Sequence, residues 1–150
     1  MRPTNSIKIE FESRSVNEGL ARSAIAAFAA QLDPTIDELC DIKTAVSEAV
    51  TNCVVHAYPD RLGKVYISAA IYPDRRLVMK IRDVGCGISD VKKAMEPLFT
   101  TGADDERSGL GFSVMQSLTD KVRVRSKIGG PTTVTLEKKL SSKGEKDGGL

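Results

Sequence analysis

The stretch "SEAVTNCVVHAY" at residues 47–58 carries Glu48, Asn52 and His56 at four-residue intervals. On a helix that step stacks side chains along one face. An acid, an amide and an imidazole therefore line up beside an apolar stripe of Val46, Val50 and Cys53. Mg2+ favours hard oxygen ligands, keeps several waters and borrows other ligands from phosphates, so one amide oxygen from Asn52 suits such a sparse site. Glu48, one turn earlier, is placed to take a proton from an attacking hydroxyl or water. His56, one turn later, can touch phosphate or ribose, or hold neighbouring backbone. Each residue also has a plain structural role open to it: a salt bridge, a packing amide, a satisfied interior histidine.

Two glycine clusters add to this. Leu77, Met79, Ile81 and Asp83 alternate along one strand, so they share a face and put a carboxylate at the edge of the core. A buried carboxylate needs donors around it. "DVGCG" follows, with Gly85 and Gly87 allowing a close backbone approach. The chemical reading is a carboxylate that accepts from a ligand's amino group, such as the adenine 6-amine; the structural reading is a capped turn. Further on, "RSGLGFSVMQSL" places Gly109 and Gly111 at the start of an apolar helix. Helix N-termini offer free N–H groups and a positive dipole end, which favour phosphate. Arg107 and Ser108 can add contacts, and "LFTTGADDERS" before them reads as a closing loop or a solvated one.

The elements that must position these groups follow from periodicity. Strands are expected at 7–11, 64–71, 77–83, 121–127 and 132–139, the last four forming two hairpins. Ser15 and Glu18 suggest a capping box for a first helix running to about Leu32. Leu20, Ala24, Ala27 and Phe28 are its expected core stripe. Arg22, Ala26 and Ala29 form a second face poor in charge, suited to another protein, although alanine's helix propensity also accounts for it. Asp33 or Thr35 caps a second helix that continues to Ala57. A short helix near 90–96 and the glycine-led helix complete the set. The expectation is α+β: a two-layer α/β sandwich, its mainly antiparallel sheet covered on one face by helices.

At 150 residues, 41% hydrophobic and +2 in net charge, the chain suits one domain at 1–140 with a disordered tail at 141–150. The charge balance forces no nucleic-acid surface. No leader or membrane-spanning run is evident, and three scattered cysteines without a CxxC pair argue for a reducing cytoplasm.

Acid and amide on a helix, Asp-x-Gly-x-Gly after a strand, then Gly-x-Gly opening a helix resembles the signature of gyrases, Hsp90 chaperones, histidine kinases and MutL proteins. Within that superfamily, "EAVTNCVVHAY", "DVGCGI", "PLFTT" and "ERSGLGF" resemble the anti-sigma-factor serine kinases, over residues 7–140. The resemblance implies a Bergerat-type ATP-binding fold with ATP or ADP and Mg2+. It makes Glu48 the base, Asn52 the metal ligand and Asp83 the reader of adenine. It places His56, Gly85, Gly87, Thr100, Thr101, Arg107, Ser108, Gly109, Leu110, Gly111 and Thr133 around the nucleotide. The usual turn before that threonine here reads "GGPTTV", where Pro131 fixes φ and removes a donor. Also implied are a homodimer, a sigma factor as bound partner and an anti-anti-sigma protein phosphorylated on serine. "FAAQLDPTIDEL" is closer to the sporulation branch than to the general-stress branch. A detached histidine-kinase-like catalytic domain is the alternative enzyme. A pure sigma-binding module is the alternative without catalysis, against which Glu48 stands.

Overall fold

The computed structural model describes residues 1–88, 91–95 and 106–141. Five strands form one sheet: β1 (Asn5–Glu12), β2 (Lys64–Ile71), β3 (Arg76–Asp83), β4 (Lys121–Ser126) and β5 (Thr132–Lys139). Their order is β1-β2-β3-β5-β4, and every pair is antiparallel. Helices α1 (Asn17–Ala29), α2 (Ile36–Asn52) and α4 (Glu106–Leu118) form the second layer, with α2 between the other two, and a short α3 spans Val91–Ala94.

Period two decides which strand residues meet the helices. Ile67, Ile81 and Val134 form one cross-strand row, and Ala69, Met79 and Leu136 form the next. All six are buried, and α2 lays Ile42, Ala45, Val46, Ala49 and Val50 over them. The row nearest the functional end changes character: Phe11 and Val65 are followed by Asp83 and Thr132. A core-facing row thus ends in two buried polar residues.

Helix α2 begins as its sequence proposes. Thr35 Oγ1 accepts the Glu38 N–H at 3.1 Å and Glu38 Oε1 accepts the Thr35 N–H at 2.9 Å, a complete capping box. Glu38 Oε2 also accepts the Ser141 N–H at 2.8 Å, and Arg75 Nε donates to the Ser141 carbonyl at 2.8 Å. These contacts fasten the end of the described chain beside buried Leu140.

Helix α1 departs from expectation twice. There is no capping box at Ser15, because Val16 is already helical and the Glu18 carboxylate pairs with Arg22 at 3.0 Å instead. Its buried stripe is Ala21, Ile25, Phe28 and Ala29. Leu20 is 57% exposed and Ala27 also faces outward. Ile25 and Phe28 set the helical phase, and a residue one position off that stripe turns by about 100° away from the core. The α-helix stops at Ala29, and a 3-10 turn over Ala30–Leu32 carries the chain to Asp33 at φ 48°.

Candidate functional site

The site is built where α2 ends. Its last regular residue is Asn52, and Cys53–Ala57 widen into a π-helical turn rather than continuing as α-helix. Such turns recur at functional positions because the wider loop leaves carbonyls and side chains in unusual directions. Here the freed carbonyls receive the glycine loop. The Cys86 N–H donates to the Ala57 carbonyl at 3.1 Å, and the Cys86 thiol to the His56 carbonyl at 3.2 Å.

That seating explains the glycines. A Cβ on Gly85 would lie 2.2 Å from the Ala57 carbonyl oxygen. Gly87 has φ +75°, and a Cβ there would lie 1.7 Å from the Lys127 carbonyl oxygen. Both positions are therefore fixed by packing of the loop on its own protein, whatever ligand approaches from the other side.

Asp83 is 4% exposed and well supplied with donors. Oδ1 accepts the Gly85 N–H at 3.0 Å, Oδ2 accepts the Cys53 thiol at 3.6 Å, and the Thr132 N–H also reaches the carboxylate. Burial nevertheless dominates and raises its pKa above the ordinary carboxylate value. Burial, followed by the nearby Asp83 charge, pushes the Cys53 thiol up as well, so Cys53 remains a protonated donor.

Tyr58 braces the same loop. Its hydroxyl accepts the Val84 N–H and donates to the Lys64 carbonyl, both at 2.7 Å. Its ring lies where a Cβ on Gly63 would be, 2.1 Å from the nearest ring carbon. Tyr58→Phe strands both backbone groups and is expected to lower stability by about 1–3 kcal/mol. A urea titration of both proteins measures it; an unchanged midpoint would show that water replaces the hydroxyl at no cost.

Glu48 and Asn52 come together under α4. A Cβ on Gly111 would lie 3.3 Å from Glu48 Oε2 and 3.4 Å from Asn52 Oδ1. Glycine here lets α4 cross closely over the two polar side chains. Asn52 Nδ2 is buried with no hydrogen-bond partner among the described residues. The Asn52 amide oxygen suits Mg2+, a metal that needs few protein ligands. Among the described residues no group of three His, Cys, Asp or Glu gathers as an all-protein metal site.

Two expectations need correction. Helix α4 spans Glu106–Leu118, so Gly109 falls in its first turn, while Gly111 lies beyond it rather than opening the helix. The free N–H groups of its first turn belong to 106–109, and Gly111 serves the approach to Glu48 and Asn52. Thr133 does not face the site. Register pairs Asp83 with Thr132, so alternation turns Thr133 to the open face of the sheet. There it lines a groove of about 640 Å³ with Lys8, Glu10, Tyr66, Lys80 and Arg82. Thr132, 6% exposed, takes the place beside Asp83.

His56 lies in the π turn, half-buried, with Nε2 enclosed. Arg107, Ser108, Gly109 and Leu110 fall on the first turns of α4, their side chains outside the described set, and Thr100 and Thr101 lie outside the described residues. Cys53, Tyr58, Ser126 and Thr132 join the site without having been singled out. Only Thr132 had a sequence signal, its parity with Val134 and Leu136. No helix among the described residues is long and apolar enough to cross a membrane.

The two-layer fold and this polar floor define a nucleotide-binding ATPase domain, and the family described as "Histidine kinase-like ATPase domain" matches residues 11–138. Among solved structures, the RsbU and RsbW domains of a Mycobacterium tuberculosis protein superpose with TM-score 0.68. The match has 21% identity and covers 92% of this chain and 32% of that one. A blue-light activated histidine kinase of Erythrobacter litoralis gives 0.59 at 23% identity, over 87% and 43%. These two likenesses concern the fold. Sequence relatives are far closer. "Anti-sigma F factor" of Caldanaerobacter subterraneus is 51% identical over 92% of this chain and 96% of its own length. That of Clostridium acetobutylicum is 46% identical over 91% and 95%. The chain belongs to the anti-sigma F factor family, on an ATP-binding, kinase-like domain.

Proposed function

We propose that the chain withholds a sporulation sigma factor, of the sigma-F kind its relatives' name denotes, and uses Mg·ATP to phosphorylate an anti-anti-sigma protein on serine. The observation that carries the catalytic half is the meeting of Glu48 and Asn52 beneath Gly111. In this reading Asp83 accepts the adenine amine, and the N-terminal turn of α4 faces the phosphates with Arg107, Ser108, Gly109 and Leu110. Thr100 and Thr101 are assigned to nucleotide contact, and His56 borders phosphate or ribose.

Glu48 takes the proton of the incoming serine hydroxyl as its oxygen bonds to the γ-phosphorus. The bond from that phosphorus to the β–γ bridging oxygen breaks, and ADP leaves. Asn52 would hold Mg2+, whose charge when bound offsets that of the phosphates. The expected assay result is label from γ-labelled ATP on serine of the anti-anti-sigma protein. Label on histidine would replace the reading with that of a histidine-kinase-like domain.

Partner binding is assigned to Arg22 on α1, in a homodimer. Arg22 pairs with Glu18 and donates to Ser47 Oγ at 3.3 Å, so it is held rather than loose, while Leu20 nearby is exposed. Arg22→Glu is expected to weaken sigma-factor binding at least tenfold without changing ATP affinity. Unchanged sigma binding would remove Arg22 from the interface.

A further inference from the structure

Strand β4 lies at the edge of the sheet and ends at Ser126, nearly forty residues after the glycine loop in sequence but against it in space. Ser126 Oγ accepts the Ile88 N–H at 2.7 Å and lies 2.6 Å from Thr132 Oγ1. The turn that follows Ser126 grips the same loop. The Gly129 N–H donates to the Cys86 carbonyl at 2.7 Å, and the Lys127 carbonyl occupies the space a Gly87 side chain would need. Thr132 in turn stands beside Asp83 in register and gives it a backbone N–H.

A serine hydroxyl has one proton and two lone pairs. At Ser126 one lone pair is taken by Ile88, so the contact with Thr132 has two possible senses. Either Ser126 donates and the Thr132 proton is free to point elsewhere, or Thr132 donates and keeps its lone pairs for another group. In the first sense Ser126 holds the Thr132 oxygen and leaves its proton for a neighbour; in the second the Thr132 proton is spent on Ser126 and only lone pairs remain. Beside a carboxylate that accepts an amine, the first sense, with Ser126 accepting from Ile88 and donating to Thr132, is the one that leaves Thr132 a proton for a base whose adjacent ring nitrogen accepts, and it disfavours a base whose nitrogen donates.

We propose that Ser126 is a positioning residue of the nucleotide pocket, setting the glycine loop through the Ile88 amide and base selectivity through the Thr132 hydroxyl. The inference rests on the reading that adenine lies at Asp83. A hairpin turn that merely packs on a loop would affect stability alone, and base selectivity separates the two roles.

The test uses the full chain with Mg2+ and measures ADP and IDP affinity by calorimetry, melting temperature without nucleotide, and exchange of the Ile88 amide. IDP replaces the 6-amine with an oxo group and makes the ring nitrogen a donor. Ser126→Ala is expected to speed Ile88 exchange, weaken ADP about tenfold and reduce the ADP-over-IDP preference about threefold, the range expected when one hydrogen bond to a buried group is lost. Ser126→Thr, which keeps the hydroxyl, restores the preference. Equal losses for ADP and IDP, or a preference unchanged in Ser126→Ala, overturn the assignment. Asp83→Ala separates the two levels. If it leaves ADP affinity intact, the adenine reading itself fails; if it abolishes binding while Ser126→Ala changes nothing, only the Ser126 role falls.

Discussion

Replacing Glu48 by alanine is expected to reduce phosphotransfer by roughly 10²–10⁴-fold, the span associated with a lost general base, while ATP binding changes less than about threefold. The geometry separates these effects. Glu48 lies under Gly111, next to Asn52, which the proposed function makes the phosphoryl end of the pocket. The end of the pocket proposed for adenine is built from different groups, Asp83 with Gly85, Cys53 and Thr132 around it. Removing the Glu48 carboxylate also leaves the apolar stripe of α2 untouched, since Val46, Ala49 and Val50 carry its packing. Single-turnover transfer from γ-labelled ATP, with ATP affinity measured in parallel, gives both numbers. Loss of transfer and binding together would make Glu48 a structural support of the pocket.

Gly87→Ala is the substitution expected to damage the pocket most. Two costs coincide there. The residue sits at φ +75°, where an L side chain costs about 1–2 kcal/mol, and its Cβ would lie 1.7 Å from the Lys127 carbonyl oxygen. Nothing at that distance yields except by backbone movement. The loop must part from the β4–β5 turn, which breaks the bond from the Gly129 N–H to the Cys86 carbonyl and the one from the Ile88 N–H to Ser126. Nucleotide affinity should fall by more than tenfold, with a lowered melting temperature. Gly129→Ala is the matched control, because Gly129 also has positive φ, +71°, yet nothing lies within 4 Å of its Cβ position. It should cost the backbone strain alone. If the two variants behave alike, the close contact at Gly87 is not what requires glycine.

The comparison of these two glycines also shows what a sequence makes legible. The strands were readable because the sheet is half-buried. Lys64–Ile71 and Arg76–Asp83 alternate so regularly that their bounds fall within one residue of expectation. The same alternation put Asp83 on the core face, and the helical step put Glu48 and Asn52 together. Contacts set by distant chain were not readable. Gly85 and Gly87 owe their identity to Ala57 and Lys127, partners that no spacing rule connects to "DVGCG". The choice between Thr132 and Thr133 depends on the register of β5 against β3, and a shift of one residue reverses every side chain. The π turn at Cys53–Ala57 leaves no mark on an apolar helical pattern, and the loop that docks on its carbonyls comes from distant chain. In α1 the apolar positions allowed two neighbouring stripes, and packing of Ile25 and Phe28 chose between them.

The proposal that the chain holds a sigma factor and phosphorylates an anti-anti-sigma protein is tested most directly by a pull-down from lysate of the source cells. The purified chain is presented with Mg·ATP or Mg·ADP, and captured proteins are identified by mass spectrometry. A sigma factor retained with ATP, and an anti-anti-sigma protein retained with ADP or recovered phosphorylated on serine, is the expected result. Capture of a histidine-bearing phosphotransfer protein, with no sigma factor under either nucleotide, would contradict it.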